Sequence, residues 1–542
     1  MEINLTFKRK IHAFIIRSWK KLFVFSIIFI FSSLSANNFI NNDNYFPLAY
    51  LYLIDYPDFF TNLSSFLPNF FPEIIIKPFF YLFITPLSST YAPLVYVFYS
   101  PIILLSSTKL IFLYTLGVTL IINSVILNRS FNIFQELKKV NLFYYLVSFS
   151  FASIGSLIYV GSNTPYAFIF TSFILILGMS IKTETNYKKD AVVLTLLYLL
   201  NYQNVFLFPS YFIVKAYIHY KNKKLINFNI LSYLLLLIVV VSSFIFFKYR
   251  AVKTGSHSEI GVNWNTGLSN EFIFESEKGL FKELIDFIIT TPKSIAYHIN
   301  ESFFNSNLLG YLILFITISQ LYLFLKGKNK NEIPVNIFIY SNFFVFLILV
   351  VSGKTVFGPT RHTLYLLPVF LTLLYFIRVS NKKIKKYLWP SVCLIFMVFS
   401  VTTILSRQNN FFKKIENIST FLKNKEDYDI VLTSCTYQPF ISKSFRKTIK
   451  NKKVYFFCGG RLQSINSNLD NKNKLLVIDH TGQNPVSLAR ELNKRSKADL
   501  YNANDFKLID KSLVLDFNME QKDFTQLERN TGLYLWEIEN KL

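Results

Sequence analysis

Three carboxylates near the start of the chain, Asp43, Asp55 and Asp58, stand in a mixed polar and aromatic segment that follows the first apolar run. Asp43 lies in Asn41-Asn42-Asp43-Asn44-Tyr45-Phe46-Pro47, shortly after Leu22 to Ala36, where a membrane-embedded cavity would meet water. A carboxylate so placed acts as a general base when it is ionised and within hydrogen-bond reach of an acceptor hydroxyl. A solvated aspartate capping a short helix carries the same signature. Asp43 is the first candidate for a catalytic base, with Asp55 and Asp58 next.

A second constellation is the stretch Gly358-Pro359-Thr360-Arg361-His362-Thr363-Leu364-Tyr365-Leu366-Leu367-Pro368, in which a cation enters the end of an apolar helix. Interfacial arginine is costly without an anion. Its planar donor fork suits a pair of phosphate oxygens, so Arg361, with His362 and Lys354, is a candidate site for the phosphate head group of a lipid-linked donor. Snorkelling to lipid phosphates is the plainer alternative. A third is the polar break Asn201-Tyr202-Gln203-Asn204, followed by Pro209, inside the long apolar run Ala191 to Tyr220. That run reads as two short helices meeting at mid-depth, and irregular backbone there is tolerated only where protein or a water-filled cavity surrounds it. The break is expected to border a cavity open to the outside.

Other suggestive residues carry less. Cys393 sits in an apolar run and reads as a packing residue. Cys435 and Cys458 follow predicted strands and suit a disulfide if those strands are neighbours, whereas their spacing, with no paired Cys or His beside them, is poor for zinc. The sequence indicates no metal site and no other cofactor, and leaves a divalent metal open. Gly459-Gly460 matches no phosphate-loop fingerprint and reads as a turn. Ser434, Asp479 and His480 lack a nucleophile-elbow context.

The elements that must position these residues follow from composition. Of 542 residues, 52% are hydrophobic and 18% aromatic but only 16% charged, against about 25% charged in an ordinary soluble domain. Apolar runs recur at about the 20-residue length that crosses hydrocarbon, so the expected fold is mainly α, a polytopic transmembrane bundle of about 11 to 13 helices over residues 1–405. The formal charge of +25 is concentrated in short loops between the runs, as the positive-inside pattern requires, and no basic stripe fits nucleic acid. Lys8, Arg9, Lys10, Arg17, Lys20 and Lys21 place the N-terminus in the cytoplasm and make Leu22 to Ala36 a retained first helix rather than a cleaved signal. Further runs are Glu73 to Thr90, Ala92 to Ser106, Leu110 to Leu127, Leu142 to Val160, Tyr166 to Ile181, Ile226 to Phe247, Leu308 to Leu325, Val335 to Val351, Thr363 to Ile377 and Leu388 to Leu405. Outer loops are expected near residues 37–70 and 248–307, the latter with His257, Trp264 and His298.

Residues 406–542 are polar and read as a small soluble α/β domain on the outer face. Its expected strands are Asp429 to Thr433, Lys453 to Phe457 and Lys474 to Asp479, parallel to one another, with helices at Pro439 to Lys450 and Pro485 to Ser496.

A cytoplasmic start, an acidic first outer loop, paired short helices in mid-chain and the Arg361-to-Pro368 helix entry together resemble the C-type (GT-C) membrane glycosyltransferases. These include bacterial relatives of the protein mannosyltransferases and the aminoarabinose transferases. The resemblance is architectural over residues 1–405 and rests on Asp43 and the Arg361-to-Pro368 stretch at residue level. Asp43 stands between Asn42 and Asn44, without the adjacent acidic pair usual in that family. The resemblance implies transfer of a sugar from a polyprenyl-phosphate carrier to a lipid or glycan acceptor at the outer face of a bacterial inner membrane, with inversion at the anomeric carbon. Asp43 would take the acceptor proton, Arg361 with His362 or Lys354 would neutralise the departing phosphate, and Tyr202 and Gln203 would line the sugar pocket. A polysaccharide polymerase or ligase would not need the loop carboxylate. A transporter would use the Asn201-to-Asn204 break as its substrate site, and a silent assembly scaffold would use only its outer domain.

Overall fold

The computed structural model describes residues 21, 23–33, 93–99, 101, 108–152, 165–184, 186–222, 233–253, 285, 307–326, 332–351, 365–375, 391, 393–395 and 397–398. In the carboxyl-terminal part it describes 418–425, 427–432, 443–449, 452, 454–456, 474–479, 485–496, 502–508 and 534–539. These residues are mostly helical. Chain contacts divide the protein into two units, one of Met1–Phe39, Leu116–Val240 and Asn263–Ser406, the other of Ile40–Thr115, Val241–Val262 and Arg407–Leu542.

The helices are α1 (Phe23–Ser33), α2 (Pro93–Tyr99), α3 (Thr108–Glu136), α4 (Val140–Ala152), α5 (Ile169–Ile181), α6 (Tyr187–Leu200), α7 (Phe208–Lys221), α8 (Leu234–Lys253), α9 (Asn307–Leu325), α10 (Ile333–Val351) and α11 (Leu366–Tyr375). Within α3, Leu110–Glu136 is long and apolar enough to cross a membrane, and shorter apolar helices accompany it. Its surface carries Leu113, Ile121 and Val125 exposed.

Helix α3 continues past Arg129, where the sequence pattern ends its apolar run, because its last turns find partners. Phe134 is fully buried and its ring lies 2.9 Å from where a Cβ would stand on Gly178 of α5. Close approach of the two helices therefore depends on that glycine. Lys182, just after α5, pairs with Glu136 at 2.5 Å, and Lys139 pairs with Glu332 at 2.5 Å. Lys138 takes the left-handed conformation (φ 55°), which ends α3 while Lys139 N–H returns to Phe134 O at 2.8 Å. Midway along α3, buried Asn123 donates to Ala167 O (3.2 Å) and accepts from Thr171 Oγ1 (2.8 Å). Helix α5 is buried along its whole length, which is why its sequence is apolar on every side. Its Phe173 ring meets Phe338 of α10 edge-on at 5.6 Å, and Tyr145 of α4 meets Tyr375 of α11 at 5.1 Å.

In the second unit, β1 (Asp429–Leu432), β2 (Val454–Phe456), β3 (Lys474–Asp479), β4 (Phe506–Leu508) and β5 (Tyr534–Glu539) form one sheet in the order β2-β1-β3-β5-β4. The three strands expected from sequence are parallel neighbours, with Ile430 facing both Val454 and Leu476. To them the structure adds an antiparallel edge, β5 on β3 and β4 on β5. Helices α12 (Lys443–Ile449) and α13 (Pro485–Ser496) fall inside the expected helical stretches. Leu488, Ala489 and Leu492 of α13 pack with Val431, Tyr455, Leu475, Val477 and Ile538 as the core of this module. Lys425 reaches Glu537 on β5 at 2.5 Å. Burial alone would raise the Glu537 carboxyl, but hydrogen bonds from Lys425 and Tyr428 and the charges of Lys425 and Lys507 outweigh it and hold the group below its ordinary value.

Two outcomes follow for stability. Gly178→Ala forces Phe134 aside and lowers the unfolding free energy by about 1–3 kcal/mol, whereas Gly117→Ala, where an added Cβ meets nothing, raises it by about 0.5–1 kcal/mol; thermal unfolding of both variants checks this. Because the folded-state pKa of Glu537 is depressed, its contribution is full above the ordinary value of 4.5 and is lost as the pH falls below it. Acid unfolding of the sheet, followed by hydrogen exchange of β3 and β5, is expected to lose part of its pH dependence in Glu537→Gln.

Candidate functional site

Helices α6 and α7 form an antiparallel hairpin joined by a 3-10 segment, Tyr202–Leu207. Asn186 caps the start of α6, its side chain accepting from Lys189 N–H at 3.1 Å, so the helix begins ahead of the apolar run. Asn201 ends it. Its backbone N–H returns to Leu197 O, and its side-chain oxygen accepts from Gln203 N–H at 3.0 Å, which starts the 3-10 turn. Asn204 donates from Nδ2 to Leu197 O at 2.7 Å. Pro209 then lies in the first turn of α7, where a missing N–H costs nothing. The polar break thus consists of asparagine side chains that replace the backbone partners a continuous helix would have had.

Rungs between the arms fix the hairpin. Tyr198 packs near Phe208 at 6.5 Å between ring centres. Tyr211 donates to Asp190 Oδ2 at 2.8 Å and shares a hydrogen bond with Tyr233 at 3.0 Å. Lys215, fully buried, donates from Nζ to Lys182 O at 2.9 Å and lies 5.6 Å from the centre of the Tyr211 ring. Tyr187 stacks on and hydrogen-bonds His219.

At the apex, residues three apart share a face of the 3-10 turn. Asn201, Asn204 and Leu207 form the buried face. Gln203 and Phe206 form another, and the Phe206 ring lies 5.7 Å from Tyr365, immediately before α11. Phe346 of α10 reaches the same tyrosine at 6.2 Å. Of the two expected pocket residues, Gln203 therefore shares the side of the apex that meets Tyr365, while Tyr202 packs its ring at 4.9 Å from Tyr198 of α6. Tyr365 stands three residues after His362 in the stretch that carries the expected phosphate ligands.

The surroundings are short of hydrogen-bond partners. Asn201 Nδ2, Asn204 Oδ1, Ser210 Oγ, Asn342 Oδ1 and Tyr365 OH are buried with none among the described residues. Each such group costs about 1–3 kcal/mol if left unmet, and a ligand that brings both donors and acceptors to the break would relieve those that face it. Hydroxyl groups do both.

Asp43, Asp55, Asp58, Lys354, Arg361 and His362 lie outside the described residues, as do Ser434, Cys435, Cys458, Gly459-Gly460 and His480. Asp479 is the last residue of β3, and Cys393 is a buried free thiol. Sequence reasoning did not single out Asp190, Tyr211, Lys215 or Asn123. The signal for Lys215 was a lone cation within Tyr211-Phe212-Ile213-Val214-Lys215-Ala216-Tyr217-Ile218, whose acceptor, the carbonyl of Lys182, lies 33 positions earlier with no local periodicity to link them. The chain matches no protein-family model and no curated protein sequence.

If Tyr365 OH and Asn204 Oδ1 face a ligand rather than the protein, their truncations differ in stability. Tyr365→Phe removes an unmet group and leaves the unfolding free energy unchanged or higher by about 1 kcal/mol, while Asn204→Ala breaks the bond to Leu197 O and lowers it by about 1 kcal/mol; calorimetry of the purified full chain distinguishes them.

Proposed function

We infer that the chain is a multi-pass membrane glycosyltransferase of about 11 to 13 helices, carrying a sugar from a polyprenyl-phosphate donor to an envelope acceptor on the outer face with inversion. The observation that carries this reading is the set of buried amide and hydroxyl groups at the α6–α7 break that meet no partner among the described residues, beside Tyr365, which follows Arg361 and His362 in the sequence. A donor of this class needs both halves of that arrangement: neutral donors and acceptors for a sugar ring, and cations for the phosphate attached to it.

The hairpin dimensions support the same reading. Each arm has 14 residues, about 21 Å of helix, against about 30 Å of hydrocarbon. Neither arm spans alone, and Lys182, Lys188, Lys189, Lys221, Lys223 and Lys224 flank both ends. The hairpin then enters from the cytoplasmic side and returns, with its apex inside the membrane and open toward the outside. With an odd number of spans the carboxyl-terminal α/β module faces the outside, where it would meet the acceptor.

In the proposed reaction Asp43 removes the proton from an acceptor hydroxyl. The freed oxygen attacks the anomeric carbon from the side opposite the phosphate, and the bond from that carbon to the phosphate oxygen breaks. The electron pair leaves with the polyprenyl phosphate, whose growing charge Arg361 meets with His362 or Lys354. Gln203 and Tyr202 hold the ring so that the carbon stays in line, and Asp55 or Asp58 is the base if Asp43 is not.

Transfer of radiolabelled sugar from a panel of polyprenyl-phosphate sugars to envelope acceptors in vesicles tests the proposal. Wild-type chain is expected to transfer, Asp43→Asn to lose about 10²–10⁴-fold and Arg361→Ala about 10²–10³-fold. Full transfer by Asp43→Asn, Asp55→Asn and Asp58→Asn alike would favour the polymerase or ligase reading, and uptake of a solute without transfer would favour a transporter.

A further inference from the structure

We propose that Asp190, Tyr211 and Lys215 are positioning residues that set where the α6–α7 apex stands. Three observations converge on the base of the hairpin. The first is the direct rung from Tyr211 on α7 to Asp190 on α6, at 2.8 Å, with Tyr211 itself fully buried. The second is Lys215, one turn further along α7 and also fully buried. It ties α7 to the carbonyl of Lys182 just after α5 and lies within Coulombic reach of Asp190. The third is Tyr233, which hydrogen-bonds Tyr211 and packs its ring 5.1 Å from Phe212, bringing the start of α8 into the same cluster.

This is more polar bonding than a helix pair needs. A hairpin held by apolar contacts alone slides along its own axis at low cost, because side chains of similar size exchange places. A hydrogen bond from a buried hydroxyl to a carboxylate, backed by a buried ammonium, has a single register, since every shift strands a charge. The apex is about 15 Å from Asp190 along α6, so the base acts at a distance by fixing register and not by touching a ligand. Arg129 and Lys182 add positive charge around the same carboxylate, which ties the setting to α3 and α5. The functional meaning of the apex rests on the glycosyl-transfer reading; the geometric claim does not.

The test reads position without activity. In a full-length chain with Cys393, Cys435 and Cys458 replaced by alanine, Val205→Cys reports the apex and Gln135→Cys, on the exposed end of α3, reports the rest of the unit. Maleimide labelling of Val205→Cys is expected to change by about threefold or more in Tyr211→Phe and in Asp190→Asn, as loss of one net hydrogen bond from a local opening equilibrium requires, with Gln135→Cys labelling unchanged. Adding Lys215→Met to Asp190→Asn is expected to return the Val205→Cys rate toward that of the parent, because it removes the stranded ammonium. Unchanged apex labelling would overturn the proposal, as would an equal change at Gln135→Cys, which would mean that the cluster holds the whole unit, or failure of Lys215→Met to restore the rate. Absence of sugar transfer by the parent chain, with this labelling pattern intact, would count against the transferase reading alone.

Discussion

A helix interrupted among apolar neighbours must find partners for the backbone groups that the interruption frees, and the α6–α7 hairpin is built around that requirement. Asn201 meets it twice, by returning its own N–H to Leu197 O and by offering its side-chain oxygen to Gln203 N–H. Asn204 meets it once more through Leu197 O. Because these two side chains are committed to the backbone through one end of each amide, the other ends are buried with no partner among the described residues. The same residues that make the break foldable also make it chemically demanding, and a polar ligand is the natural way to relieve it.

The surrounding helices serve this break by being rigid where it is irregular. Gly178 lets α5 approach α3 closely enough for Phe134 to fill the gap, and Asn123 with Thr171 pins the other part of that contact. Phe173 and Phe338 join α5 to α10, so the hairpin stands against a frame whose spacing is set by interlocked rings rather than by loops. Phe206 and Phe346 then converge on Tyr365. That brings the break to the entry of α11, the part of the sequence where Arg361 and His362 stand next to an apolar helix.

Much of this was legible in the residues. The Asn201-to-Asn204 interruption and the two short helices follow from polar residues inside an apolar run, and Pro209 begins α7 as its missing N–H dictates. The parallel strands of the carboxyl-terminal module were legible as short β-branched runs between helical stretches. Its antiparallel edge was not, since Tyr534 to Glu539 alternates on a mere six residues and its pairing to β3 depends on contacts made across more than 50 positions. The hairpin base escaped for the same reason: Asp190 and Tyr211 meet only after the chain has reversed, and no sequence period links them. The start of α6 was missed by four residues because Asn186, a cap, was read as part of a charged loop.

In the proposed reading the hairpin apex and Tyr365 would bind the hydroxyl groups of a sugar, and Arg361, His362 and Lys354 the phosphate attached to it. Photo-cross-linking of the full chain in vesicles by a polyprenyl-phosphate sugar carrying a diazirine on the sugar ring tests it most directly. The account predicts adducts on residues 201–206 and 361–368, displaced by the unmodified donor. Adducts confined to other helices, or none that the unmodified donor displaces, would contradict it.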